Sequence, residues 1–159
     1  MTLVVLVSYG LPLTSVFCKL FQLLRTYCSA AFLDSALTLK QYCFGITAFT
    51  KYSFFPIILH FKDRFDRKRP KDVDDSIETL NSKTNKTPSY PSGHSAQSML
   101  VAKYVIGKFP KHEKGLIEAA KECGIGRVLA GFHYLSDHVA GKLLGEKMYS
   151  IMNKDDYNA

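Results

Sequence analysis

Three short segments carry residue types that together could handle a phosphoryl group. Lys62 is followed after six residues by Arg69-Pro70, Pro91-Ser92-Gly93-His94 comes next, and Arg127 is followed after five residues by His133 and then, four further on, by Asp137. Lys62, Arg69 and Arg127 could neutralise a dianion, since arginine offers a planar fork matched to phosphate oxygens and lysine a compact charge. The amides of Ser92, Gly93 and His94 fall where a helix should start, a natural place for an anion. Gly93 would let the backbone come close to an oxyanion. His133 and Asp137 are one helical turn apart. The carboxylate could hold one imidazole nitrogen and leave the other to attack. His94 is then available as general acid for a leaving alkoxide, and the cations stabilise charge without a metal ion. Singly, each segment is commonplace: a basic stretch, a turn, a hydrogen-bonded pair. Their conjunction, in this order on one small chain, is what points to chemistry.

These residues need elements to position them. Val and Ile never form an extended alternating run, so strands have little support. Asp34-Ser35 can cap a helix from Ala36 towards Phe61, kinked at Pro56. Along it Lys40, Lys51 and Lys62 recur every 11 residues, near three helical turns, and read as a solvated stripe until Lys62. Residues 71–90 are rich in turn formers and read as a surface loop. Helices follow from Gly93 or His94 to Pro110, from Glu113 to about Ala130, and from Asp137 to about Asn153. Gly141 and Gly145 would let a neighbouring helix pack closely against the last of them. The fold expected is an all-α, single-domain bundle over residues 1–159, with the site at helix ends and connecting loops. Residues 1–61 would serve as helical scaffold or anchor, and 62–147 as catalytic core.

Composition bounds the alternatives. The chain has 159 residues, 47% hydrophobic and 22% charged, enough for one domain with a real core. Mean hydropathy is −0.04, too low for a protein made mostly of membrane helices. The net charge of +7 suits an anionic partner without saying which. An acidic tail protein, a collagen-like chain and a small disulfide scaffold are excluded. Cys18, Cys28, Cys43 and Cys123 form no C-x-x-C pair and read as small buried apolar residues. Met1–Leu24 is apolar but for Lys19. It reads as a buried helix in preference to a membrane anchor, and no basic residue precedes it to suggest a secretion signal. The sequon at Asn85 carries little weight beside Pro88. The expectation is a soluble protein, with membrane association or secretion as alternatives.

The three segments resemble the signature of the phosphatidic acid phosphatase type 2 / vanadium haloperoxidase superfamily, K-x6-RP, PSGH and SR-x5-H-x3-D. Phe61–Pro70, Thr87–Ala96 and Gly126–Gly145 look most like its soluble acid-phosphatase-like branch. The resemblance implies a helical bundle that hydrolyses phosphomonoesters without metal. It implies that Lys62, Arg69, Ser92, Gly93 and Arg127 bind phosphate. His133 would be the nucleophile that becomes phosphohistidine, Asp137 would orient it, and His94 would protonate the leaving group. No cofactor is expected; vanadate would enter as a phosphate mimic. Gly126 stands where the family usually has Ser, which removes a phosphate-binding hydroxyl worth on the order of one hydrogen bond to a charged group. The chain is short for the family at its N-terminal end. The partner expected is a phosphorylated small molecule or a lipid phosphate, the latter with membrane contact through the N-terminal apolar stretch. Vanadate-dependent halide oxidation ranks below these. A non-catalytic phosphate- or nucleic-acid-binding module is the remaining alternative. Nucleic acid is not expected, because Asp63, Asp66, Asp72, Asp74, Asp75 and Glu78 break up the basic segment. His60 and His112 read as structural or surface residues, His138 as packing beside Asp137, and Tyr90 and Tyr134 as pocket lining or core.

Overall fold

The structure is a computed structural model that describes residues 50–80 and 85–155. The expectations for Met1–Leu24, for the Asp34-Ser35 cap, for Lys40 of the lysine stripe and for Cys18, Cys28 and Cys43 lie outside the described residues. Among the described residues every regular element is helical.

A π-helical turn, Thr50–Phe54, leads into α1, Phe55–Phe65. Pro56 falls in the first turn of α1, where its missing N–H costs no internal hydrogen bond. The kink expected there is therefore replaced by a change of helix type just before it. The helix runs one turn beyond Phe61 and includes Lys62, which is buried. It ends at Asp66, in the left-handed region with φ 39°, whose amide donates to the Lys62 carbonyl at 2.9 Å. That reversal sends the chain back towards α1's neighbours. A single-turn helix, α2 (Pro70–Val73), follows, with the Asp72 carboxylate accepting from the Arg69 amide at 3.2 Å.

The central element is α3, Gly93–Lys108, with every residue from Ser95 to Ala102 buried. A helix enclosed on all sides has no polar face to present. One side packs Met99, Val101, Ala102 and Val105 against Leu116, Ala119 and Ala120 of α4 (Glu113–Leu129). Another packs Ala96 and Leu100 with Phe54 and Ile58, and against Leu144 and Met148 of α5 (Leu135–Asp155). Close approach of α3 and α5 depends on the two glycines noted in the sequence. A Cβ on Gly141 would fall 2.3 Å from the Ser92 carbonyl oxygen, and one on Gly145 2.3 Å from that of Ala96.

The connection from α4 to α5 is equally specified. The Phe132 amide donates to the Arg127 carbonyl and the Gly131 amide to that of Val128, the paired bonds of a Schellman motif. Gly131 has φ +75°, and a Cβ there would lie 3.0 Å from the Glu78 carbonyl oxygen. The turn delivers Phe132 and His133 directly after the arginine-bearing end of α4. No helix among the described residues is long and apolar enough to cross a membrane.

Candidate active site

The end of α1, the chain before α3, the end of α4 and the start of α5 converge. Asp137 is the hub. Its side chain is fully buried, and it sits in the first turn of α5, where the helix dipole favours negative charge. Oδ2 accepts from the Tyr134 amide at 2.9 Å, which closes the start of the helix. The same oxygen accepts a short hydrogen bond from Ser89 Oγ, and His133 Nδ1 lies 3.3 Å from it. Oδ1 takes an ion pair from Arg67 Nη1 at 2.8 Å. Burial alone would raise this carboxyl. The bonds from His133, Ser89 and the Tyr134 amide outweigh it and hold Asp137 below the ordinary carboxylate range.

With Nδ1 facing Asp137, the His133 ring has Nε2 left for chemistry. Burial pushes His133 down to about 4; Asp137 works against this, and Arg69 and Lys62 reinforce it. The imidazole is therefore neutral near pH 7, the form a nucleophile requires. His94, on the first turn of α3, is lowered to about 3 by burial and then by Arg127, His133, Lys62 and Arg69. These influences show that His94, His133 and the three signature cations share one electrostatic neighbourhood.

Lys62 and Arg69 are held by main-chain carbonyls. Lys62 Nζ donates to the carbonyls of Pro88 and Ser89, which uses two of its three N–H bonds. Arg69 Nε donates to Thr87 O at 2.9 Å and Nη1 to Phe132 O at 2.8 Å. The Arg127 guanidinium is buried and lies 4.0 Å over the Phe132 ring. Burial and Arg69 lower Arg127 to about 10, so it stays charged at neutral pH.

Ser92 caps α3, its Oγ accepting from the Ser95 amide. Its own amide donates to the Asp137 carbonyl at 3.0 Å, so that amide is spent and the expected three-amide nest is reduced to Gly93 and His94. A Cβ on Gly93 would make only ordinary contact with Ile58, so the protein itself does not demand glycine there.

Two residues of the hub escaped the sequence reading. Arg67 also donates to Ser136 Oγ at 2.7 Å and stacks 4.0 Å over the Tyr134 ring. Nothing in a run of alternating charges singles it out from Arg64 or Lys68. Ser89 lies in the stretch read as a surface loop. It is wholly buried instead, because the carbonyls of residues 87–89 satisfy Arg69 and Lys62. Tyr90 packs edge-to-face on Phe65 at 4.9 Å, and its peptide bond to Pro91 is cis. His60 is exposed, whereas His138 is buried with a specific partner. Cys123 is buried and its thiol is pushed up to about 11 by that burial, so it is inert as a nucleophile.

Lys62 makes one testable consequence. Burial, then Arg69, lower its ammonium to about 8, with Asp137 opposing. The charged form binds an anion, so affinity is complete below that pH and falls as pH rises through it. Binding of inorganic phosphate, followed by calorimetry, is expected to weaken as pH rises through about 8, with a slope that approaches about tenfold per pH unit above about pH 9. Lys62→Met should bind more weakly at pH 7 and show a flat profile over the same range.

The chain is similar to several known proteins. An acid phosphatase of Zymomonas mobilis is 30% identical over 97 residues, covering 59% of this chain and 37% of the relative. A non-specific acid phosphatase of Salmonella typhi is 40% identical over 60 residues, 38% of this chain and 24% of the relative. The chain thus matches well under half the length of these curated relatives. A transmembrane PAP2-type phosphatidylglycerolphosphate phosphatase from Bacillus subtilis aligns with a TM-score of 0.48 and 19% identity, over 91% of this chain and 75% of its own. The PAP2 superfamily model matches residues 19–155, which include all three signature segments and every side chain of the hub. By that match, the chain belongs to the PAP2 superfamily.

Proposed function

We propose that the protein is a phosphomonoesterase that works through a phosphohistidine on His133. The observation that carries this reading is the buried His133 ring, whose Nδ1 lies 3.3 Å from the fully buried Asp137 carboxylate. In the first step the phosphoryl oxygens lie among Lys62, Arg69, Arg127, Ser92 and the Gly93 amide. His133 Nε2 attacks phosphorus, an N–P bond forms, and the P–O bond to the alkoxide breaks. The proton on Nδ1 stays with the Asp137 hydrogen bond, which stabilises the cationic ring. His94 gives a proton to the leaving oxygen. Its imidazole is neutral without ligand, so the phosphate must supply that proton or raise His94 enough to hold one. A dianion placed among three cations does the latter. In the second step His94, now neutral, takes a proton from water as the water oxygen attacks phosphorus. The N–P bond breaks, and inorganic phosphate leaves. The cations supply the charge stabilisation, and the scheme uses no metal or other cofactor.

Hydrolysis of p-nitrophenyl phosphate in the presence of EDTA tests the reading. Turnover unaffected by the chelator is expected. Absence of turnover, or its loss on chelation with recovery on adding a divalent ion, would contradict it.

A second reading gives the same chemistry a lipid phosphate. It is favoured by Leu135, Val139, Leu143 and Ile151, which recur along α5 and are all exposed. A marked preference for a phosphorylated diacylglycerol in detergent micelles over p-nitrophenyl phosphate would support it, and equal or poorer use of the lipid would exclude it.

A further inference from the structure

Beside the hub, a second hydrogen-bonded chain runs from α5 into α3. His138 Nδ1 lies 2.9 Å from Ser95 Oγ, and Ser95 Oγ donates to Ser92 Oγ at 3.0 Å. The Ser95 amide also approaches Ser92 Oγ, at 3.4 Å. All three residues are buried. A hydroxyl has two acceptor sites and one proton. Ser92 therefore accepts twice from Ser95, and its proton is what remains for a ligand. Ser95 gives its own proton to Ser92, so it must accept from the His138 ring, and the order of donation requires a proton on His138 Nδ1. Burial, and then Lys142, hold His138 below its ordinary value, so the neutral ring carries that one proton.

The neighbouring helix makes room for this pair. A Cβ on Gly124 of α4 would lie 2.2 Å from His138 Nδ1 and 2.5 Å from Ser95 Oγ. Asp137 and His138 thus divide the start of α5 between two tasks: one faces the nucleophile and the other reaches the cap of α3.

We propose that His138 is a positioning residue which, through Ser95, aims the Ser92 hydroxyl proton at an oxygen of the bound phosphoryl group. The inference rests on the phosphatase reading for its ligand, and its test separates the two. The variants are His138→Leu, His138→Asn, Ser92→Ala and the double variant Ser92→Ala/His138→Leu. Each is compared with the parent for orthovanadate inhibition and for kcat/KM on p-nitrophenyl phosphate.

His138→Leu is expected to weaken vanadate inhibition and lower kcat/KM about tenfold. His138→Asn, whose amide places an N–H near the position of Nδ1, is expected to recover most of that loss. In the Ser92→Ala background, His138→Leu should cost nothing more, because the hydroxyl it acts through is gone. Ser95→Ala supplies the same comparison if His138→Leu does not fold. Losses that simply multiply in the double variant, or a folded His138→Asn no better than His138→Leu, would overturn the proposal. A protein that binds vanadate without hydrolysing the ester would contradict the phosphatase reading, and the vanadate arm alone would still decide the coupling.

Discussion

Alanine at His133 is expected to lower the turnover of p-nitrophenyl phosphate by at least about 10⁴-fold while leaving the protein folded. The size of the effect follows from what remains. Lys62, Arg69, Arg127 and Ser92 would still gather the phosphate, so KM should change far less than kcat. Without Nε2 no covalent path exists, and water would have to attack an ester that the site binds but does not activate. Asp137 would keep its bonds from Ser89, Arg67 and the Tyr134 amide, so its buried charge would not be stranded. That is why loss of the ring should spare stability. A His133→Ala protein with parental kcat would remove His133 from the chemistry altogether.

The second large effect is on stability, at Gly145. Replacing glycine with alanine inside a helix usually stabilises it, by about 0.5–1 kcal/mol. At Gly145 the sign should reverse. The new methyl would sit 2.3 Å from the Ala96 carbonyl oxygen and 3.0 Å from the Leu100 amide nitrogen, both main-chain atoms of α3 that no rotamer change can move. The two helices would have to separate along the seam that also holds Ala96 and Leu100 against Leu144 and Met148. Forced overpacking costs about 1–3 kcal/mol and occasionally more; with two main-chain atoms in the way this site falls at the upper end, above the helical gain. A fall of about 10 °C in melting temperature is expected. Gly115 on α4 is the control, since it is exposed and a Cβ there meets nothing within 4 Å. Gly115→Ala should raise the melting temperature slightly. Parallel behaviour of the two variants would show that the α3–α5 approach is not set by Gly145.

The sequence showed the helical periods, and it showed the spacing that puts His133 one turn before Asp137. Gly141 and Gly145 could be read as a close-packing seam because their four-residue spacing places them on one face. Three features were hidden, each for a physical reason. The Schellman turn at Gly131 is defined by main-chain bonds, and only its glycine is visible in the letters. Ser89 looked like loop because its neighbours are polar, yet that loop is buried precisely where its carbonyls satisfy Lys62 and Arg69. Arg67 sits among charges of both signs, and its pairing with Asp137 spans seventy residues, a separation no local pattern encodes. His138 read as packing because a lone histidine beside a signature aspartate has no pattern of its own. Its role depends on Ser95, on another helix, and on the space left by Gly124.

The central claim is that His133 carries the phosphoryl group between two chemical steps. The most direct measurement is to quench the protein during turnover of a phosphorus-labelled aryl phosphate and to locate the label by peptide mapping. Label on the peptide containing His133, stable to alkali, released by acid and absent from His133→Ala, is the predicted result. Turnover with no labelled protein at any quench time, or label on a serine or aspartate instead, would contradict the account.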